Sequence, residues 1–317
     1  MLCNGVFQGG GVKGIGFVGA IRTLENAGYR FETVAGTSVG SIVAALIASG
    51  YTGKEIQEEL LSLDYKNLMG NNFLTRNSNF LKTFNLITSF GMYSTNLFEK
   101  YIEELLIKKG VKTFKDLSYN NDSRFYAIAS DITSKEMLVL PSDLYKFGID
   151  GESFSVARAV AMSIALPFYF KPIQLNDGSG KRHLILDGGL LSNYPIWLLD
   201  GKKNFNIPTF GFKFGGENLN SRPRNFDNNI IGFTKSIIST LMGAWDNRHI
   251  SESKGDFART ILIPTTVTSS GRPKKVNATE FDITKTDKLE LLKNGTLAAE
   301  KFLDTWDFET WKKRYIY

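Results

Sequence analysis

The chain has 317 residues, 42% of them hydrophobic and 22% charged, which gives enough apolar material for a sizeable buried core and excludes a disordered chain. Its net charge of +6, from 38 basic and 32 acidic side chains, is modest and dispersed, and no zinc-finger, RNA-recognition or basic-zipper pattern accompanies it, so nucleic acid is not an expected partner. No apolar run reaches the ~18 residues of a membrane span, Met1-Leu2-Cys3-Asn4-Gly5 lacks the basic-then-apolar order of a secretory signal, and the single cysteine, Cys3, has no internal disulfide partner. A cytoplasmic setting is the expectation, and export by a signal-less route is equally compatible with these features. Small basic clusters at Arg272-Pro273-Lys274-Lys275 and Lys312-Lys313-Arg314 read as solvated surface, with attraction to a phospholipid headgroup layer as the functional alternative.

Asn4 to Gln8 reads as a short strand that closes on Gly9-Gly10-Gly11-Val12-Lys13-Gly14. An amphipathic helix follows, with Ile15, Val18, Ile21 and Leu24 on its apolar face, and stops at Gly28. Phe31 to Ala35 is a second strand, and Gly36-Thr37-Ser38-Val39-Gly40 is a sharp turn that runs straight into the apolar helix Ser41 to Ala48. The order β-loop-α-β-turn-α makes a parallel sheet the natural outcome. Thr52 and Glu55 form a capping box that starts a helix to about Leu63.

From 64 to 95 asparagine, phenylalanine and leucine alternate with no stable period. This is read as an irregular, packed insertion, with a lid as the alternative. Leu97 to Lys108 is a helix, and Arg124–Ala129 with Glu136–Leu140 a hairpin. Phe154 to Ile164 is a helix stopped by Pro167, and His183 to Asp187 is a strand closed by Gly188 and Gly189. Further strands fall at Pro208–Phe214 and Thr260–Ile263, and helices at about Asn228–His249 and Thr284–Thr305. No repeat or dividing linker interrupts the chain, so one domain over 1–317 is expected.

The chemistry centres on Ser38. A serine in a strand–turn–helix elbow cannot retreat into either element, so its Oγ stands at the helix N-terminus, where N–H groups and the helix dipole favour developing negative charge. The plainer reading is a glycine-bounded turn with a helix-capping serine. A nucleophile needs a base and an oxyanion site. The chain has two histidines. His183 lies four residues before Asp187 on one strand, ~13 Å away, which makes it an ordinary strand histidine. Ser38, Asp187, His249 is the chain order of an α/β-hydrolase triad, but the elbow follows only the second strand and His249 falls towards the end of a predicted helix. Asp187 closes a strand before two glycines, and if the carboxyl ends of parallel strands share one rim, Asp187 and Ser38 meet there. A free aspartate is a weak base, so the pair requires burial to raise its pKa. Gly9-Gly10-Gly11 lies on the same predicted rim and can supply backbone N–H donors. Gly9, Gly11 and Gly14 also match a dinucleotide fingerprint, but the second strand ends in Gly36-Thr37-Ser38 and offers no acidic residue for a ribose.

Together, Gly9 to Gly14, Gly36 to Gly40, Asp187-Gly188-Gly189 with Asn193 and Pro195, and the small-residue run Ala161 to Pro167 resemble the patatin-like phospholipase family. The match spans about residues 4 to 214; 215–317 carries no motif. The resemblance implies a three-layer α/β/α fold with a mainly parallel sheet, and a Ser–Asp dyad that hydrolyses phospholipid or lysophospholipid acyl esters without metal or cofactor. It makes Ser38 the nucleophile, Asp187 the general base, Gly9, Gly10 and Gly11 the oxyanion hole, and Gly36 and Gly40 the elbow, with Lys13, Gly188 and Gly189 in support. Peripheral contact with a membrane surface follows from such a substrate. Two alternatives remain at this point, a catalytically silent nucleotide- or lipid-binding module and a lipid acyltransferase.

Overall fold

The computed structural model describes residues 1–68, 88–120, 122–200, 206–215, 255–269 and 271–316. Most of the predicted insertion, the predicted helix at 228–249 and His249 lie outside these residues.

The first third follows the predicted order closely. Strand β1 (Leu2–Phe7) leads through the glycine loop into α1 (Ile15–Asn26), then β2 (Arg30–Thr37), α2 (Val39–Ala48) and α3 (Gly53–Ser62). Thr52 caps α3, and the reciprocal bonds of the capping box with Glu55 are both formed. Every residue of α2 is buried. A helix apolar on all sides belongs in the interior, and α2 lies against β1, β2 and the next long strand.

After a short strand, β3 (Gly91–Tyr93), come α4 (Asn96–Lys108), the hairpin β4 (Phe125–Asp131) and β5 (Glu136–Leu140), and α5 (Val156–Ser163). Two strands that the sequence did not announce follow, β6 (Phe168–Phe170) and β7 (Ile173–Asn176), and then β8 (Arg182–Asp187), β9 (Thr209–Phe214) and β10 (Thr260–Ile263). The chain closes with α6 (Lys285–Leu303) and α7 (Phe308–Tyr315).

The main sheet runs β10-β9-β1-β2-β4-β8-β7, with β5 on the other edge of β4, and β3 pairs with β6 in a separate ribbon. The pairings from β10 to β4 are parallel, and those of β5, β8 and β7 antiparallel. Alternating side chains supply both faces. On one, Phe7 stacks on Phe212 with centroids 4.4 Å apart, within the core that takes in α1, α2 and α5. On the other, Val6, Ala35 and Tyr126 pack beneath Tyr194, Ile196 and Leu199.

The C-terminal third is tied into this frame although its sequence carries no motif. Helix α6 crosses α1 so closely that a Cβ on Gly19 would strike the Leu292 carbonyl, and one on Gly295 the Gly16 carbonyl. Lys288 on α6, almost fully buried, donates to the carbonyls of Leu60 at 2.9 Å and Leu63 at 2.6 Å, and so neutralises the exposed C-terminal dipole of α3.

His183 has a structural setting. Its Nδ1 lies 2.6 Å from Asp131 Oδ2 and 3.3 Å from Ser134 Oγ, and the ring meets Phe147 edge-on. The pair fastens β8 to the end of β4 inside the protein. Removing one partner of a buried polar pair leaves the other without compensation. We expect His183→Ala to lower unfolding free energy by roughly 3 kcal/mol in urea titrations; a change under about 0.5 kcal/mol would show the pair to be dispensable.

Candidate active site

Register on β4 determines where the two key residues meet. Thr37 of β2 pairs with Ile128, and Asp187 of β8 pairs with Ala129, the next residue along. On the opposite edge Val139 and Leu138 of β5 occupy the same two positions. Because a strand has two edges, β2 and β8 share one and approach each other head-on. The expectation that Asp187 closes a parallel strand on a common carboxyl rim is therefore corrected: β8 runs antiparallel, and its end abuts the end of β2. The physical reason is that β8 returns along the half of the β4 edge that β2 leaves empty.

Strand β2 cannot continue past Thr37, because Asp187 already fills the next register position. The chain turns out of the sheet at Ser38, with φ 54° and ψ −128°, a region that costs a residue with a side chain ~1–3 kcal/mol. The flanking glycines allow the turn to be this tight. A Cβ on Gly36 would strike the Gly40 carbonyl group, and one on Gly40 the carbonyl of Phe7. Ser38 occupies the N-cap position of α2, yet its hydroxyl makes no capping bond. The free carbonyl of the turn is served by Ser41, whose N–H and Oγ donate to Ser38 O at 2.8 Å and 2.6 Å. The Ser38 side chain, partly exposed, is left available.

Segment 163–165 at the end of α5 holds both sides of the site. Ser163 Oγ accepts the Ser38 N–H at 2.9 Å, and the Ala165 carbonyl accepts the Asp187 N–H at 2.9 Å. Thr37 Oγ1 donates to the Ser192 carbonyl at 2.9 Å, which ties the loop after Gly189 to the elbow. Ser163 and Ser192 were not singled out from sequence. The small-residue run before Pro167 was the only signal of the first, since a hydroxyl that braces a backbone N–H 125 residues away has no local pattern.

Asp187 is 1% exposed. Its Oδ1 accepts from the Gly189 N–H at 2.7 Å, while Oδ2 is buried with no hydrogen-bond partner. Burial raises the carboxyl from 3.8 to about 6, against the opposing pull of the Gly189 N–H and the Ser38 hydroxyl. Gly188 lies so close to Ile128 that a Cβ would strike its carbonyl. The two glycines thus bring the carboxyl in and give it one donor.

The glycine loop lies against the elbow, since a Cβ on Gly9 would come within 3.3 Å of Ser38 Cβ. The Gly9 N–H donates to the Asn193 carbonyl at 2.9 Å, and the Val12 N–H to the Ala278 carbonyl at 3.0 Å. Gly9 is therefore removed from the donor set expected of Gly9, Gly10 and Gly11, because its one proton is already committed. Gly10 and Gly11 donate to no acceptor among the described residues. Lys13 places its ammonium 4.6 Å from the centre of the Phe214 ring, the ring that closes over Gly10, and so braces the loop. Among the described residues no cluster of three or more His, Cys, Asp or Glu side chains has metal-binding geometry.

A serine elbow on the second strand of a mixed, mainly parallel sheet, with a glycine loop and a buried aspartate beside it, sets the architecture of this α/β protein. The model of patatin-like phospholipases matches residues 5–200, and the chain belongs to that family. It is 37% identical over 308 residues to Uncharacterized protein YqhO of Bacillus subtilis (strain 168), covering 97% of this chain and 100% of that one. It is 26% identical over 194 residues to Probable lipid hydrolase 463L of Invertebrate iridescent virus 6, covering 60% of this chain and 61% of that protein. The structure of VipD from Legionella pneumophila shares the fold, with a TM-score of 0.54 at 16% identity, over 96% of this chain and 66% of that one.

The buried carboxyl has a consequence for stability. With a folded pKa near 6 and an unfolded value near 3.8, the native state holds the extra proton between these values. Stability therefore falls as pH rises through that window, by on the order of 3 kcal/mol. We expect Asp187→Asn to unfold at higher urea than the parent at pH 8, with the gap closing by pH 4. Equal midpoints at pH 8 would contradict the assigned burial cost.

Proposed function

We propose that the chain hydrolyses acyl esters of phospholipids or lysophospholipids through an acyl-Ser38 intermediate. The observation that carries this reading is the Ser38 hydroxyl, freed from capping, beside a carboxyl raised to about 6. At neutral pH Asp187 is ionised, yet it is a stronger base than an exposed aspartate, and Oδ2 has no other donor to bind.

In the proposed reaction Asp187 takes the Ser38 proton while Oγ forms a bond to the ester carbonyl carbon. The carbonyl electron pair moves to oxygen, and the Gly10 and Gly11 N–H groups receive this oxyanion. Collapse re-forms the carbonyl and breaks the bond to the alcohol oxygen, which takes the proton back from Asp187. A water then repeats the sequence, giving its proton to Asp187 as its oxygen attacks the acyl-serine, and fatty acid and free Ser38 are released. The strained Ser38 backbone holds Oγ in place before substrate arrives, so that little reorganisation remains for the reaction itself.

Support for this substrate class comes from membership of the patatin-like phospholipase family and from relatives that include one named as a probable lipid hydrolase. Among the described residues no helix is long and apolar enough to cross a membrane.

A fluorophosphonate probe is expected to label Ser38, and mass spectrometry of a mixed phospholipid extract to show release of fatty acid. Ser38→Ala and Asp187→Asn should each abolish release, and His183→Ala should retain most of it at a temperature where it stays folded. Absence of labelling on folded protein would sink the enzyme reading. Because the carboxylate is the active form, kcat/KM should fall as pH drops through about 6. A limb near 4 would mean that the base is an ordinary exposed carboxylate.

A further inference from the structure

Asn193 follows the Asp187 strand by six residues and lies in the loop that Thr37 ties to the elbow through Ser192. Its backbone and its side chain do different things. The backbone carbonyl accepts the Gly9 N–H at 2.9 Å, which fixes the glycine loop. The residue is 7% exposed, and its Oδ1 is fully buried with no hydrogen-bond partner. A buried carboxamide end left unpaired costs ~1–3 kcal/mol, which packing alone does not recover.

The position of that orphaned group gives it meaning. A Cβ built on Gly9 would strike Asn193 Oδ1 and would come within 3.3 Å of Ser38 Cβ. The carboxamide end is thus packed against Gly9, on the side of that residue that also faces Ser38. The oxygen and nitrogen ends of a carboxamide exchange on a half-turn about χ2, so Nδ2 can take the place of Oδ1. With Nδ2 turned inward, the group presents an N–H donor beside the position where the carbonyl oxygen of an acyl-Ser38 adduct must lie.

We propose that Asn193 is a catalytic residue, and that its Nδ2–H is a side-chain donor to the tetrahedral oxyanion alongside the Gly10 and Gly11 amides. The inference rests on the acyl-transfer reading of Ser38 and deepens it. Two backbone donors are common to any loop of this shape. A side-chain donor adds a contact that strengthens as charge develops, and in the resting enzyme it remains unpaired. Gly9 has to be glycine in part because a side chain there would strike and displace this carboxamide.

The test is Asn193→Leu, which keeps the branch at Cγ and the volume of the side chain but has no donor, with Asn193→Ala as the smaller companion. Neither change touches the backbone carbonyl that holds Gly9. With a soluble short-chain aryl ester, we expect kcat to fall about a hundredfold in both variants, with KM within about twofold. The rate of fluorophosphonate labelling should fall in parallel, because that adduct mimics the tetrahedral geometry. The acid limb near pH 6 should stay where the parent has it, whereas a residue acting through Asp187 would move it. Asn193→Leu should unfold at the same urea concentration as the parent or higher, since an unpaired buried carboxamide is replaced by hydrocarbon.

Folded variants that keep kcat within about threefold would overturn the proposal, as would a loss that appears only as a displaced acid limb. If Asn193→Leu does not fold, Asn193→Ala gives the same reading. A parent protein that neither turns over the ester nor labels at Ser38 would instead bring down the acyl-transfer reading itself.

Discussion

The structure depends on two strands meeting end to end along one edge of β4. β2 fills the first half of that edge and β8 the second, so Thr37 and Asp187 oppose the consecutive residues Ile128 and Ala129. Neither strand can lengthen without displacing the other. The collision sends the chain out of the sheet at Ser38 and sets the strained backbone there. It also brings a carboxyl to the foot of the turn, although about 150 residues separate the two. Ser38 and Asp187 are thereby held by backbone hydrogen bonding through a shared strand, which is more rigid than two side chains projecting from separate loops.

Around this junction the protein withholds hydrogen bonds in some places and supplies them in others. The backbone is well served: Ser163 accepts the Ser38 N–H, Ala165 accepts the Asp187 N–H, and Ser41 serves the Ser38 carbonyl. Three side-chain atoms are left without such service. Asp187 Oδ2 and Asn193 Oδ1 are buried and unpaired, and the Ser38 hydroxyl caps nothing. Each unpaired group costs stability, and the raised carboxyl costs it in a pH-dependent way. Such costs persist only where the surrounding fold is stable enough to bear them. Here α2 is buried along its whole length, and α6 is locked against α1.

Much of this was legible in the chain. The glycine loop, the elbow between Gly36 and Gly40 and the strand-ending Asp187 are short local patterns whose geometry follows from residue type. The Thr52–Glu55 box gave the start of α3 for the same reason. His183 was set apart from Asp187 by strand spacing alone, and its contact with Asp131 gives it a structural role. What could not be read are bonds between segments far apart in sequence. Ser163 is one serine among many until its Oγ meets the Ser38 N–H. The short strands β6 and β7 carry no pattern strong enough to announce them, because neighbouring strands stabilise them more than their own composition does.

By itself, then, the sequence determined the chemistry on offer, since a glycine-flanked serine, a glycine-followed aspartate and a glycine-rich loop each fix their own local backbone. The tertiary structure decided how these parts are used. It made β8 antiparallel where a parallel strand had been expected, because the free half of the β4 edge could be filled by a returning strand. It spent the Gly9 N–H on Asn193 and left Gly10 and Gly11 without acceptors among the described residues, because the loop after Asp187 packs against the glycine loop. It also raised the Asp187 carboxyl, because desolvation is a property of everything that surrounds a group and cannot be read from the residues beside it in the chain.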